Sequence, residues 1–232
     1  MNAKVAIIIV AGGSGSRMGG DTPKQFLLLR GEPVLVHTVR RFVAALPDAT
    51  FVVVLPGRDL ARWEAICADY GVNIPHCVVS GGAARSDSVR RGLAVAGGDA
   101  EWVLVHDGVR PLVSGALIKR VLETARKYGT AVPVVDPADS FRFVPEGILF
   151  PGGESVPLDR TRLRAVQTPQ GFAGSILRNA YSADADVATD DATLVERSGI
   201  PVTLCEGDPC NLKITTPADL CCAEAWLTLS LP

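Results

Sequence analysis

Lys4-Val5-Ala6-Ile7-Ile8-Ile9-Val10 runs directly into Ala11-Gly12-Gly13-Ser14-Gly15-Ser16-Arg17-Met18-Gly19-Gly20-Asp21-Thr22-Pro23-Lys24-Gln25. The first half has the unbroken apolar character of a strand buried on both faces, which belongs to a parallel sheet. The second half is glycine-rich and basic. Glycines let backbone N–H groups approach a phosphate chain closely, and Arg17 and Lys24 add fixed positive charge beside it. The junction therefore reads as a nucleotide triphosphate site after a central strand, with Ala11, Gly12, Gly13 and Gly15 as its cradle. Two commoner phosphate loops are excluded by spacing. Gly15 and Gly20 suit a Walker A loop, but Asp21 stands where its lysine belongs. Gly13 and Gly15 begin a dinucleotide fingerprint that fails at Met18.

Beyond this junction, apolar runs alternate with helix-periodic segments. Strands are expected at Val5–Val10, Phe51–Leu55, Cys77–Val79, Trp102–His106, Thr130–Val135 and Val202–Cys205. Leu35, Val39, Phe42, Val43 and Leu46 form one helical stripe. Leu60, Trp63, Ile66, Cys67 and Tyr70 form a second, and Leu117, Val121, Leu122 and Ala125 a third. This alternation predicts a Rossmann-like α/β domain over residues 1–232, with a mostly parallel sheet between two helical layers. Ligands in such sheets bind at the carboxyl ends of the strands. Residues 136–164 break the rhythm with prolines, glycines and short alternating runs such as Ser140-Phe141-Arg142-Phe143-Val144. They predict a protruding β-arm whose apolar side chains are covered by a second copy of the chain.

Composition narrows the function classes. The chain has 232 residues, 47% hydrophobic and 21% charged, with a net charge of −2. No overall basic field attracts nucleic acid or a membrane surface, so any anionic ligand must be held by local clusters. No apolar run reaches the roughly 18 residues of a transmembrane span. No signal peptide is expected ahead of a strand that begins near Lys4, and the cytoplasm is the expected location. The six cysteines lack CxxC or zinc-like spacing and read as reduced thiols.

Four clusters carry chemistry. In Gly81-Gly82-Ala83-Ala84-Arg85-Ser86-Asp87-Ser88, small residues open a helix for which Ser86 is the expected cap. Gly82 can admit a flat base edge there, with Arg85 and Ser88 as hydrogen-bonding groups. Val105-His106-Asp107-Gly108-Val109-Arg110 places a carboxylate at a strand end. Asp107 can hold Mg²⁺ beside a triphosphate, because a hard cation takes carboxylate and phosphate oxygens together. Arg110 is placed to pair with an anionic substrate, and His106 reads as structural rather than as a base. Thr189-Asp190-Asp191 precedes a helix, where Asp191 suits the helix dipole. Asn211-Leu212-Lys213-Ile214 delivers one more cation to the same rim. There is no Ser–His–Asp set and no general-base dyad. Transfer at phosphorus needs neither, since a phosphate nucleophile requires no base.

AGGSGSRMGGDTPKQF, GGAARSDSV, VHDGVRP, VDPADSFR, LDRTRLRAVQTPQGF, TDDATLVE and NLKITTPADL, in this order, resemble the 2-C-methyl-D-erythritol 4-phosphate cytidylyltransferases of the non-mevalonate isoprenoid pathway. The resemblance spans nearly the whole chain. It implies CTP as co-substrate with Mg²⁺ or another divalent cation, and a homodimer with exchanged arms. It implies that Arg17 and Lys24 stabilise the charged transition state, and that Lys213 and Arg160 position the second substrate. Gly82 and Ser88 then lie around the cytosine, Asp107 at the metal and ribose, and Ser140, Thr168 and Thr189 on the substrate side. A CTP-dependent ribitol-5-phosphate cytidylyltransferase shares the loop and the HD-x-x-RP stretch and is the alternative; Leu158-Asp159-Arg160-Thr161 favours the first. A nicotinamide-dependent oxidoreductase is disfavoured by Met18 and by Leu55-Pro56-Gly57-Arg58, which lacks an acidic ribose ligand.

Overall fold

The computed structural model describes residues 4–13, 22–146, 153–182, 188 and 190–229. Its elements, in chain order, begin with β1 (Val5–Val10), a small hairpin of β2 (Leu28–Leu29) and β3 (Glu32–Pro33), and α1 (Val34–Ala45). Then follow β4 (Thr50–Leu55), α2 (Leu60–Asp69), β5 (His76–Ser80), α3 (Arg85–Val95), β6 (Trp102–Asp107), α4 (Gly115–Tyr128) and β7 (Thr130–Val135). The arm holds β8 (Phe141–Phe143) and β9 (Val156–Leu158). The chain returns through β10 (Ala165–Val166), β11 (Gln170–Ala173), α5 (Gly174–Ser182), α6 (Asp191–Arg197), β12 (Leu204–Glu206) and α7 (Pro217–Thr228).

The main sheet runs β10-β7-β11-β6-β1-β4-β5, with β12 beside β7. β1 lies parallel between β4 and β6. The chain leaves β1 to build β4 and β5 on one side, then crosses to β6 on the other. That reversal is the switch point where an open sheet leaves a crevice at its strand ends.

Successive side chains of β1 divide between two cores. Ile7 and Ile9 pack with Leu35, Val39 and Phe42 of α1 and Leu117 and Val121 of α4. Ala6, Ile8 and Val10 pack with Val89 and Leu93 of α3 and Leu177 of α5. Each fully buried Ile or Leu contributes roughly 1.5–3 kcal/mol, which is why a strand apolar at every position sits at the sheet centre. Five of the six expected strands are found within a residue of their expected ends, while the sixth lies at Leu204–Glu206 rather than Val202–Cys205.

β11 was not expected. It inserts antiparallel between β6 and β7. Its sequence, Gln-Gly-Phe-Ala, is too short and mixed to announce a strand, and its place depends on neighbours remote in sequence. Ser86 is also not the cap expected of it. α3 starts at Arg85, and the Ala84 N–H is taken by the Asp87 carboxylate at 3.1 Å.

Candidate active site

Asp107 ends β6 opposite Val10, the last residue of β1. The next amide holds the register, Gly108 N–H donating to Val10 O at 2.8 Å. A third, smaller core of Leu29, Val34, Val109, Leu112, Ile214 and Ala223 fastens the C-terminal segment to this end of the sheet. Within it, Ile214 N–H donates to Val109 O at 2.9 Å. Lys213, one residue earlier, is thereby brought to Asp107, with its Nζ 2.9 Å from Oδ2. α7 is fixed in turn by Thr216 as N-cap, Pro217 in the first turn, and the Asp219 carboxylate accepting from Thr215 and Thr216 N–H at 2.8 Å.

Two more cations close on the same carboxylate. Arg85 Nε lies 3.4 Å from Oδ1, and Arg110 Nε 3.6 Å from Oδ2. Burial would raise the Asp107 pKa, but the charges of Arg85, Lys213 and Arg110 outweigh it and hold the carboxyl well below its ordinary range. Asp107 is a fixed anion inside a cationic ring.

Behind the ring runs a chain of hydrogen bonds. The Arg85 guanidinium donates to Asp191 Oδ2 at 2.8 Å, and Tyr181 Oη donates to Asp191 Oδ1 at 2.5 Å. Burial followed by the Asp191 charge raises the Tyr181 pKa, so the phenol stays a donor. Gln170 Nε2 donates to Asp190 Oδ2 at 2.8 Å and its Oε1 accepts from Ala192 N–H at 2.9 Å. Asp190 is the N-cap of α6. Asp191 stands in the first turn of α6, as the helix-dipole reading has it, and is in addition fully buried and anchors Arg85. The doublet Asp190-Asp191 was a usable signal, but only the fold shows that the two acids point to different partners.

His106 is fully buried, and burial pushes its pKa down to about 3. Its Nε2 lies 3.2 Å from Arg110 O, which can only accept, so Nε2 carries the proton. Nδ1 then accepts from Thr168 Oγ1 at 3.1 Å, and that oxygen accepts from Asp107 N–H at 3.1 Å. The structural reading of His106 stands. Thr168 lines a polar cavity on that side of the site, and its one hydroxyl proton is spent on His106, so the side chain also braces the strand end. Arg110 is likewise turned inward, donating to Asn211 O at 2.7 Å, although it also lines a polar cavity with Asp107, Thr168, Asp190 and Lys213.

A cavity of about 410 Å³ opens beside the ring, lined by Ala11, Gly12, Gly13, Lys24, Gln25, Gly82, Arg85, Ser88, Asp107 and Lys213 among others. A Cβ on Gly13 would lie 3.4 Å from Lys24 Cε, so the lysine stem packs against this glycine at ordinary van der Waals distance. A Cβ on Gly82 would lie 2.2 Å from the Asp87 Cβ, a clash only glycine avoids. Ser88 Oγ accepts from Gly82 N–H at 3.2 Å and donates to Ala84 O at 3.1 Å. It shapes the turn rather than presenting a free hydroxyl.

Not every candidate converges here. Arg160 is exposed in the arm and donates to Ala138 O at 2.7 Å. It lines a separate cavity with Asp136, Pro137, Thr161 and Arg164. Ser140 is exposed and is not among the residues lining that cavity. Gly15, Arg17 and Thr189 lie outside the described residues. Among the described residues, no group of three or more His, Cys, Asp or Glu could hold a metal. Asp107 offers one carboxylate, whose Oδ1 accepts a single long bond of 3.4 Å from Arg85 Nε and so keeps acceptor capacity. That fits a Mg²⁺ whose other ligands are phosphate oxygens and water, not a cage built by the protein.

A glycine-lined cavity beside a buried anion in a cationic ring, with no proton-abstracting pair among the described residues, suits a nucleotidyltransferase site on a Rossmann-like sheet. Comparison with known proteins narrows the class. Residues 5–229 match the model of the family IspD: 2-C-methyl-D-erythritol 4-phosphate cytidylyltransferase. An enzyme of that name from Porphyromonas gingivalis is 43% identical over 98% of this chain and 100% of its own. One from Bacteroides thetaiotaomicron is 41% identical over 97% and 100%. The crystal structure of the Thermus thermophilus enzyme superposes with a TM-score of 0.75 at 37% identity, covering 97% of this chain and 99% of that one. The chain belongs to the 2-C-methyl-D-erythritol 4-phosphate cytidylyltransferase family and is a cytidylyltransferase. None of these relatives supports the ribitol phosphate alternative.

Proposed function

We propose that this chain transfers CMP from CTP to 2-C-methyl-D-erythritol 4-phosphate, yielding 4-diphosphocytidyl-2-C-methyl-D-erythritol and pyrophosphate. An oxygen of the sugar-alcohol phosphate forms a bond to the α-phosphorus of CTP as the bond to the bridging oxygen of the β-phosphate breaks. Its electron pair leaves with pyrophosphate, and no proton needs to be removed. The observation that most supports this reading is the cavity that brings Lys24, Arg85, Asp107 and Lys213 to the glycine loop at the switch point.

Lys24 neutralises charge on the pentavalent phosphorus, a role the sequence assigns equally to Arg17. Lys213, held by Asp107, orients the incoming phosphate. Asp107 would hold a magnesium ion together with oxygens of the triphosphate, and the ion would supply charge neutralisation there. Arg160 serves the second substrate from the arm of a neighbouring subunit. That assignment is supported by Arg160 lining a cavity separate from those at Asp107. It is also supported by the apolar arm around it, where Phe141, Phe143, Val144, Val156 and Leu158 are 41–55% exposed. Residues 1–232 then form one nucleotidyltransferase domain with 136–164 as its dimerisation arm. No helix among the described residues is long and apolar enough to cross a membrane; the cytoplasm suits an enzyme of small phosphorylated substrates.

Pyrophosphate release measured with CTP, Mg²⁺ and either sugar-alcohol phosphate tests the reading. Turnover is expected with methylerythritol phosphate. Turnover with ribitol 5-phosphate alone would overturn it.

A further inference from the structure

All three glutamines of the chain, Gln25, Gln167 and Gln170, are buried near the site. Two are fully bonded. Gln170 bridges Asp190 and the Ala192 amide. Gln167 donates from Nε2 to Asp208 O at 2.9 Å and accepts at Oε1 from Asp208 N–H at 3.1 Å. Gln25 is different: it is 1% exposed, yet neither Nε2 nor Oε1 has a hydrogen-bond partner among the described residues. A buried primary amide left empty at both ends is rare in folded proteins and asks for an explanation.

Local packing forces the amide to stay there. Lys24–Phe26 forms a single 3-10 turn, closed by Phe26 N–H donating to Pro23 O at 2.9 Å. Phe26 is buried in the core against α1 and α2, with the Arg62 guanidinium 5.0 Å from its ring centre. With Phe26 pinned inward, Lys24 and Gln25 are both presented to the cavity that also contains Gly12 and Gly13. One turn thus places at that cavity a cation and, beside it, a neutral amide whose Nε2 and Oε1 are both buried and reach a ligand by a side-chain rotation.

We propose that Gln25 is a triphosphate-binding residue, its Nε2 donating to a phosphate oxygen of CTP, on the reading of the site as a CTP site given above. A neutral donor suits this position, because it adds a directed hydrogen bond where further positive charge would repel Lys24. The empty amide of the free protein is the group the nucleotide satisfies.

Gln25→Met keeps the side chain's length and removes both polar atoms. The free variant should melt at or above the wild-type temperature, since it buries no unsatisfied group. Its CTP affinity by calorimetry should fall about tenfold, the loss of one such bond, while cytidine, followed by ligand-observed NMR, should bind as it does to the wild type. Gln25→Glu should weaken CTP further by facing the triphosphate with a carboxylate. An unchanged CTP affinity in Gln25→Met overturns the inference, and so does a lowered melting temperature with equal losses for CTP and cytidine. A wild type that binds no CTP overturns the functional reading itself, a result distinguishable from wild-type binding that Gln25→Met leaves intact.

Discussion

At the end of β6 one carboxylate is enclosed by Arg85, Arg110 and Lys213, and two of those cations have a further partner of their own. In the arm, β8 and β9 pair only with each other, their side chains exposed on a two-stranded sheet. Arg142 Nε there bonds Ser155 Oγ at 2.6 Å across the two strands, and Arg160 bonds Ala138 O nearby. The rim is over-determined within one chain. The arm is a paired ribbon without a core, of a kind that is marginal in water unless something covers it. The contrast teaches that preorganisation is concentrated where charge must be held against burial, while the arm leaves its apolar side chains exposed within one chain.

Breaking the rim at its centre should have the largest effect. Asp107→Ala leaves three cations facing one another without their anion, and should cost about 3–5 kcal/mol of stability, read by urea denaturation. A loss below about 1 kcal/mol, the level of a surface ion pair, would show that the ring is not coupled. Next comes Lys24→Ala, which removes one preorganised charge at the transition state. It should raise the barrier by ~3 kcal/mol, roughly a hundredfold in kcat, with an unchanged melting temperature. A near-wild-type kcat would refute its role.

Tyr181→Phe removes the bond that holds Asp191 on Arg85. It should cost about 1.5–3 kcal/mol of stability, the worth of a hydrogen bond to a charged group, measured in the same denaturant series. A neutral result would mean that Arg85 needs no anchor.

The pH dependence follows from His106. Its pKa is about 3 in the folded chain, below the ordinary 6.5, so the unfolded chain binds the extra proton. Stability from this group is complete above about pH 6.5 and declines by ~1.4 kcal/mol for each pH unit below it, down to the folded pKa. Histidine ¹⁵N spectra at pH 5 should still show a neutral ring protonated on Nε2, and an imidazolium signal would contradict the wiring through Thr168.

The arm should give the smallest effect on stability. Arg160→Ala is an exposed change worth within about 0.5 kcal/mol, yet it should abolish most turnover. Mixing it with Lys24→Ala should restore part of the activity, because a heterodimer then holds one intact site. No recovery despite proven subunit exchange would place Arg160 in its own subunit's site.

Local pattern was enough for the parallel core of the sheet. A strand apolar at every residue can be buried only between two helical layers, and the helical stripes named the faces that cover it. Lys24, Asp107 and Lys213 were legible as candidates because each stands where a strand or loop delivers side chains to one rim. Three things were decided by packing between remote segments. β11 exists as a strand through its pairing with β6 and β7. Asp191 meets Arg85, and Thr168 meets His106, across 106 and 62 residues of chain respectively. Hydrogen bonds of that kind obey no spacing rule. The type of a residue declares what it can donate or accept, and only the folded neighbourhood settles whether that capacity is spent, as in Thr168, or left open, as in Gln25.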